Sequence, residues 1–263
     1  VLVFVRKTEK TGHMAQEVQM RTSRITRVIP ALLVLLLVWG CVPAAKSYRA
    51  HPDFEARAQD IKAPVLVPPE VNIYELSTGG VRELRDDWSE QGQHNTASAV
   101  VAVFGEIPLP VKEANLPKKL RKELDDVQAL YRAVSTSIHA HTYGQAALFP
   151  DKVKNFEYSL GPIDSILNYY HSDALIIVYG VDEISTSGRK ALRAAGLVLS
   201  TVLGDSVVPS AGVSAISVAV VDRSGTILWY NVGGSEGGND LRDYESTESL
   251  VRSILADYPG ISK

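Results

Sequence analysis

The sequence predicts an α/β domain of the α+β kind: a mixed β-sheet with a C-terminal β-hairpin and helices packed on it. Three observations lead there. Residues 174–184, ALIIVYGVDEI, form an apolar, β-branched run of strand length. Residues 212–232 read as two strands joined by the turn Asp222-Arg223-Ser224-Gly225. From Leu116 onward, apolar residues recur every three or four positions (Leu120, Leu124, Val127, Tyr131, Val134), with charges on the far side, as on a helix with one buried face.

The elements follow in chain order. Residues 65–67 suit a short buried strand that Pro68-Pro69 must end, because proline cannot donate to a ladder. Val71, Ile73 and Tyr74 resume an extended segment. After the turn residues 77–80, a helix is expected from Val81, with Val81, Leu84 and Trp88 on one face and Gly92 weakening its middle. Residues 97–104 finish this helix or form a strand, and Pro108 and Pro110 break the chain before the helix from Leu116. Pro162 sits at a first-turn position for a short helix through Ile166 and Leu167 to Tyr170. Residues 188–204, GRKALRAAGLVLSTVLG, are rich in Ala and Leu, bounded by glycine and too short to span a membrane. They form the heart of a hydrophobic insertion at about 188–211 that packs on the domain, meets another subunit or touches a membrane. GGSEGG at 233–238 reads as a loop, and a last helix runs over 246–257 with Leu250 and Ile254 inward.

Ahead of the domain lies a different composition. Met20 opens a basic stretch with Arg21, Arg24 and Arg27, and an apolar run broken only by Pro30 follows to Val38, the pattern of a secretory signal over 20–40. Residues 1–19 are read as an extension upstream of the true start, absent from the mature protein or disordered. Residues 41–60 are polar and read as a tether, and 61–263 as the domain. Removing 1–40 takes away six basic and two acidic residues, so the formal charge moves from −3 to −7. A mildly acidic body excludes a nucleic-acid face, which needs clustered Lys and Arg. Cys41 is the single cysteine, so no internal disulfide forms and the core holds by burial.

Val38-Trp39-Gly40-Cys41 resembles a bacterial lipobox, with the bulky Trp39 as a departure at a tolerant position. The resemblance implies cleavage after Gly40, a diacylglyceryl group on the Cys41 sulfur and acylation of the new amino group, with palmitate among the expected chains. Two or more chains anchor stably where one does not, since each buried methylene contributes about 0.8 kcal/mol. Val42 stands where aspartate would resemble an inner-membrane retention signal, so the implied address is the outer membrane, with the body in the periplasm. VVDRSGTILWYN at 220–231 is similar to the hairpin of periplasmic lipoproteins whose fold resembles the TolB amino-terminal domain and the curli-secretion lipoprotein. In that family the aspartate and glycine shape the turn and the tryptophan packs on a helix, positions held here by Asp222, Gly225 and Trp229. The resemblance covers about 61–258 in element order and is sharp only at 173–183 and 220–231. It speaks to fold, which does not fix function.

Several residues invite a catalytic reading. GDSVV at 204–208 is similar to the start of a lipolytic hydrolase family, with Ser206 as nucleophile. The serine needs a histidine base, and none of the six histidines follows it. His139 and His141 share a face only if extended, with no carboxylate or cysteine nearby to complete a metal site. Asp86-Asp87 and Asp125-Asp126 read as exposed helix faces, and Asp182-Glu183 as a polar rim at a strand end. GGSEGG lacks the lysine and helix of a phosphate loop. Trp88 and Trp229 read as core anchors, with a partner-facing role as the other use of either.

The resulting expectation is a non-enzymatic, outer-membrane-anchored periplasmic lipoprotein. It binds another envelope protein or its own copies in transport, secretion or surface assembly, through 188–211 and 233–240, with no metal and no cofactor beyond the covalent lipid on Cys41. A periplasmic hydrolase or metal-dependent enzyme using His139, His141 or Ser206 is the alternative. A structural link to peptidoglycan is a third, without a recognisable wall-binding motif.

Overall fold

The computed structural model describes residues 47–115, 117–143, 149–203 and 212–261. Gly40, Cys41 and Ser206, the expected extension and the expected signal lie outside the described residues. Eight strands and seven α-helices are described. The strands are β1 (Arg49–Ala50), β2 (Val65–Leu66), β3 (Glu70–Leu76), β4 (Arg82–Leu84), β5 (Lys112–Glu113), β6 (Ala174–Ser185), β7 (Val213–Asp222) and β8 (Ile227–Glu236). The helices are α1 (Phe54–Ala58), α2 (Asp86–Phe104), α3 (Arg121–Thr142), α4 (Pro150–Lys154), α5 (Asp164–Tyr170), α6 (Ser187–Leu203) and α7 (Tyr244–Leu255). The chain is thus a mixed α/β fold.

One mixed sheet runs in the order β1-β8-β7-β6-β2-β5, with β3 also on β6 and β4 hairpinned on β3. β2 and β3 are both parallel to β6, the first along Leu175 and Ile176, the second from Tyr179 to Ser185. They behave as one strand interrupted at Pro68-Pro69, where two missing N–H groups leave nothing to donate to the ladder. β6 is covered on both faces, which is why its sequence reads as a continuous apolar run rather than alternating.

Two cores sandwich the sheet. On one face α2 and α7 pack together and bury Ile73, Val100, Phe104, Val218, Trp229 and Ile254. On the other, α3 and the 156–167 segment bury Val127, Tyr131, Ile138, Phe156, Leu175 and Tyr230. Gly92, expected to weaken α2, permits its close approach instead: a Cβ there would come within 2.7 Å of Ile73 Cδ1. The gain in packing against β3 offsets the helix propensity lost.

The β7–β8 turn is formed by the expected residues. Asp222 Oδ1 accepts from the Ser224 and Thr226 N–H groups at 3.0 and 3.2 Å, and Gly225 takes φ +78°, a left-handed conformation natural to glycine. A bulge follows, since Val220 pairs with Trp229 but Val221 with Ile227. The extra residue turns Leu228 and Trp229 into the same core. Trp229 is 0% exposed and lies against Tyr48 and Tyr258, at ring distances of 6.1 and 5.3 Å, so its aromatic partners come from outside the helices.

Three expectations require correction. The compact domain starts at Ser47, so the expected tether over 41–60 is largely part of the fold. β1 pairs with Trp229 and Tyr230 of β8, and Phe54 is 7% exposed. A short strand and an aromatic plug in a polar sequence carry too little periodicity to be read locally. The helix expected from Val81 begins at Asp86; β4 precedes it, and Val81 and Leu84 are 68% and 46% exposed. Pairing of Arg82 with Leu76 and of Leu84 with Tyr74 captured this stretch for the sheet. Residues 233–236 of GGSEGG are strand, because β7 extends β8 to Glu236. The 188–203 stretch lies in the helix α6, where Arg189 is buried and Ala191, Leu192, Ala194 and Ala195 are exposed.

Candidate protein-binding surface

The end of the sheet where β6 finishes, β7 begins and β8 ends gathers groups that the sequence scatters. A buried carboxylate holds it together. Asp182, read as a polar rim, is 0% exposed and accepts from Ser214 Oγ at 2.5 Å and from the Leu241 N–H at 2.9 Å. Burial pushes its carboxyl above the ordinary carboxylate range, opposed by those two donors. Asp182 thereby pins the 240–242 segment onto the sheet. Asn95 of α2 closes the same joint by donating to the Leu241 and Arg242 carbonyls at 3.1 and 2.8 Å.

The pinned segment presents Arg242 to Trp88. The Arg242 guanidinium lies 4.3 Å from the indole ring centre, and Arg85 lies 4.2 Å from it. Such cation–π contacts contribute about 0.5–1 kcal/mol each at exposed sites. Asp240 grips Arg242 with two oxygens, at 2.9 and 2.7 Å, and this contact lowers the Asp240 pKa and raises that of Arg242. Glu75 holds Arg85 at 2.7 Å. Alongside, Arg82 sits 4.2 Å from the Tyr74 ring centre and 2.9 Å from Glu183. Both cations around Trp88 are therefore oriented before any partner arrives, which lowers the ordering cost of binding.

Two exposed apolar groups stand on the elements that meet at this end of the sheet. Leu192 of α6 is 47% exposed and Val213 at the start of β7 is 48% exposed. Arg193 reaches Glu236 at 3.7 Å, tying the second turn of α6 to the end of β8. The Trp88 cluster thus combines an indole with oriented guanidinium groups, residue types enriched among the anchors of protein interfaces.

The other sequence candidates do not converge. His139 is exposed and lies beside Tyr143, whereas His141 turns to Tyr158, 3.3 Å from Nδ1 to the phenol oxygen. Among the described residues, no three of His, Cys, Asp and Glu stand together as metal ligands. Asp86 and Asp87 are exposed in the first turn of α2, Asp87 facing Arg85 at 3.3 Å. Asp125 and Asp126 are exposed on α3, with Lys122 2.7 Å from Asp126. A groove of about 260 Å³ opens beside α3, floored by Ser135, Ser217 and Tyr230. Their hydroxyls bond one another: Ser135 lies 2.9 Å from Tyr230, and both Tyr131 and Ser135 donate to Ser217 at 3.2 Å. Burial raises the Tyr131 and Tyr230 pKa values, so this floor stays neutral and ties α3 to the sheet.

Sequence reasoning missed Asp182 as a buried anchor and the Arg85–Trp88–Arg242 stack. Arg85 stands three residues before Trp88, a helix-like spacing that hints at half of the stack. Arg242 gives no local signal.

No family model matches the chain, and no curated protein matches it. Two solved structures are similar at low scores. A PelC dodecamer from Paraburkholderia phytofirmans has 11% identity and a TM-score of 0.32, with 74% of this chain and 87% of that chain covered. The C-terminal domain of LpoB from Salmonella enterica has 9% identity and a TM-score of 0.23, with 71% of this chain and 96% of that chain covered. Scores this low carry no argument about what the chain does.

Proposed function

We propose that this chain is a non-enzymatic lipoprotein of the bacterial envelope, anchored at the periplasmic face of the outer membrane through Cys41. Its α/β domain binds another envelope protein or further copies of itself, in the service of transport, secretion or surface assembly. It needs no cofactor apart from the covalent lipid. The observation that carries the binding role is the group around Trp88: an indole with two oriented guanidinium groups against its ring, at the end of the sheet where α6 and β7 also expose Leu192 and Val213. The lipid reading rests on Val38-Trp39-Gly40-Cys41. Among the described residues no helix is long and apolar enough to cross a membrane.

The test is capture from the envelope with the intact, lipidated chain, together with its oligomeric size by light scattering. Trp88→Ala and the pair Leu192→Glu with Val213→Glu should each lower partner capture or self-association at least tenfold, and the pair, whose side chains are exposed, should keep its thermal midpoint close to that of the parent. Deletion of 190–204 should do the same. Unchanged capture and size in all three would overturn the assignment of this surface.

A further inference from the structure

The docking of residues 47–60 shortens the leash between lipid and domain, and we infer from this that the β1 edge of the sheet is held against the bilayer. The inference rests on the lipid-anchor reading of Cys41. If the whole of 41–60 were a free tether, the domain would range about 70 Å from the membrane, at about 3.5 Å per extended residue. Instead the chain is fastened from Ser47 onward. Ser47 Oγ donates to Asp257, Arg49 donates to the Thr142 carbonyl, Tyr48 stacks on Trp229, and β1 pairs with β8. Only 42–46 remain between the anchor and the first fastened residue. Six Cα steps reach at most about 20 Å.

That reach is smaller than the sheet is wide. β1 and β5 are the two ends of the six-strand order, five spacings apart, or about 24 Å at about 4.8 Å each. Full inversion, with β5 at the membrane, would lift the β1 side about 24 Å from it, beyond the about 20 Å the leash can reach. The same placement shelters a sheet edge. β1 reaches only Trp229 and Tyr230 of β8, which runs on to Glu236. An open edge set against a membrane is poorly placed to pair with another chain. Partners are consequently met at the inner surface of the outer membrane rather than across the periplasm, at a raised effective concentration.

The experiment uses the full lipidated protein in vesicles that carry a fluorescent acceptor on a headgroup lipid. Because the Cys41 thiol is acylated, an introduced cysteine is the sole reactive thiol. Ala140→Cys, exposed near the carbonyl that Arg49 grips, marks the β1 side, and Lys112→Cys marks the far edge. Energy transfer from a donor at 140 should exceed that from 112 at least twofold. Inserting twenty Gly and Ser residues between Lys46 and Ser47 should abolish the difference. Equal transfer at the two positions without the insertion, with acylation of Cys41 verified by mass, would overturn this inference and leave the anchor standing. An unacylated Cys41 in the native protein would overturn the anchor reading and this inference with it.

Discussion

Removing the Asp182 carboxylate should loosen the joint that brings Arg242 to Trp88. In Asp182→Ala, two hydrogen bonds to a charged acceptor disappear, from Ser214 Oγ and from the Leu241 N–H. Bonds to charged groups contribute about 1.5–3 kcal/mol each, and the orphaned Leu241 N–H adds the cost of an unmet buried donor. Relief from burying a carboxylate offsets part of this, leaving a net loss of about 2–4 kcal/mol, a large share of the roughly 5–15 kcal/mol that holds a domain. Asp182→Asn should cost about 1 kcal/mol or less, because the amide oxygen still accepts from Leu241 while its nitrogen donates to Ser214 Oγ, whose own proton turns to the Asn239 carbonyl. Urea unfolding measures both.

The comparison of parent with Asp182→Asn across pH adds a sign. Burial raises the folded pKa of Asp182. Its contribution to stability is therefore fully present below the unfolded value of about 4 and is lost as pH rises through the raised folded value. Asp240, lowered by Arg242, acts in the opposite sense, but it is common to both proteins and drops out of the difference. The parent should thus gain on the variant as pH falls through the carboxylate range. An Ala variant within about 0.5 kcal/mol of the parent, or a gap that moves in the parent's favour as pH rises, would refute this account of the joint.

Other outcomes follow from the same packing. Gly225→Ala forces a side chain into φ +78°, with its Cβ 1.8 Å from the Gly161 carbonyl oxygen, so the 159–161 segment must move. A loss of at least about 2 kcal/mol in chemical denaturation is expected. Phe54→Ala removes a 7% exposed ring that meets Tyr258 edge-on at 6.2 Å and should cost about 3 kcal/mol, whereas a free tether would tolerate it without loss. Cys41→Ser should move the protein from the membrane fraction to the soluble fraction of the envelope, seen by sedimentation after cell disruption.

Much of this fold is legible because the forces behind it are local. The alternation along 212–232, the unbroken apolar run of β6 and the 3.6-residue period of α3 each report burial on a face, and the Asp222–Gly225 turn reports backbone torsion. Where a residue's fate was settled by a distant neighbour, the local signal pointed elsewhere. Val81 and Leu84 fit a helical face, yet β4 pairs with β3, and the glycines of 233–234 look like a loop but extend a strand because β7 runs beside them. The candidate surface belongs to this second class: Trp88, Asp182 and Arg242 lie on three separate elements or loops, and only their packing makes a site.

By itself, then, the amino-acid order determined the mixed α/β class, the hairpin and its turn, the main helix and the lipobox-like Val38-Trp39-Gly40-Cys41. Tertiary structure alone decided that 47–60 belongs to the domain, that Asp182 is an internal anchor and that two guanidinium groups meet one indole. The reason is range: periodicity and turn torsions act over a few residues, whereas desolvation and charge pairing depend on which distant segments the folded sheet brings into contact.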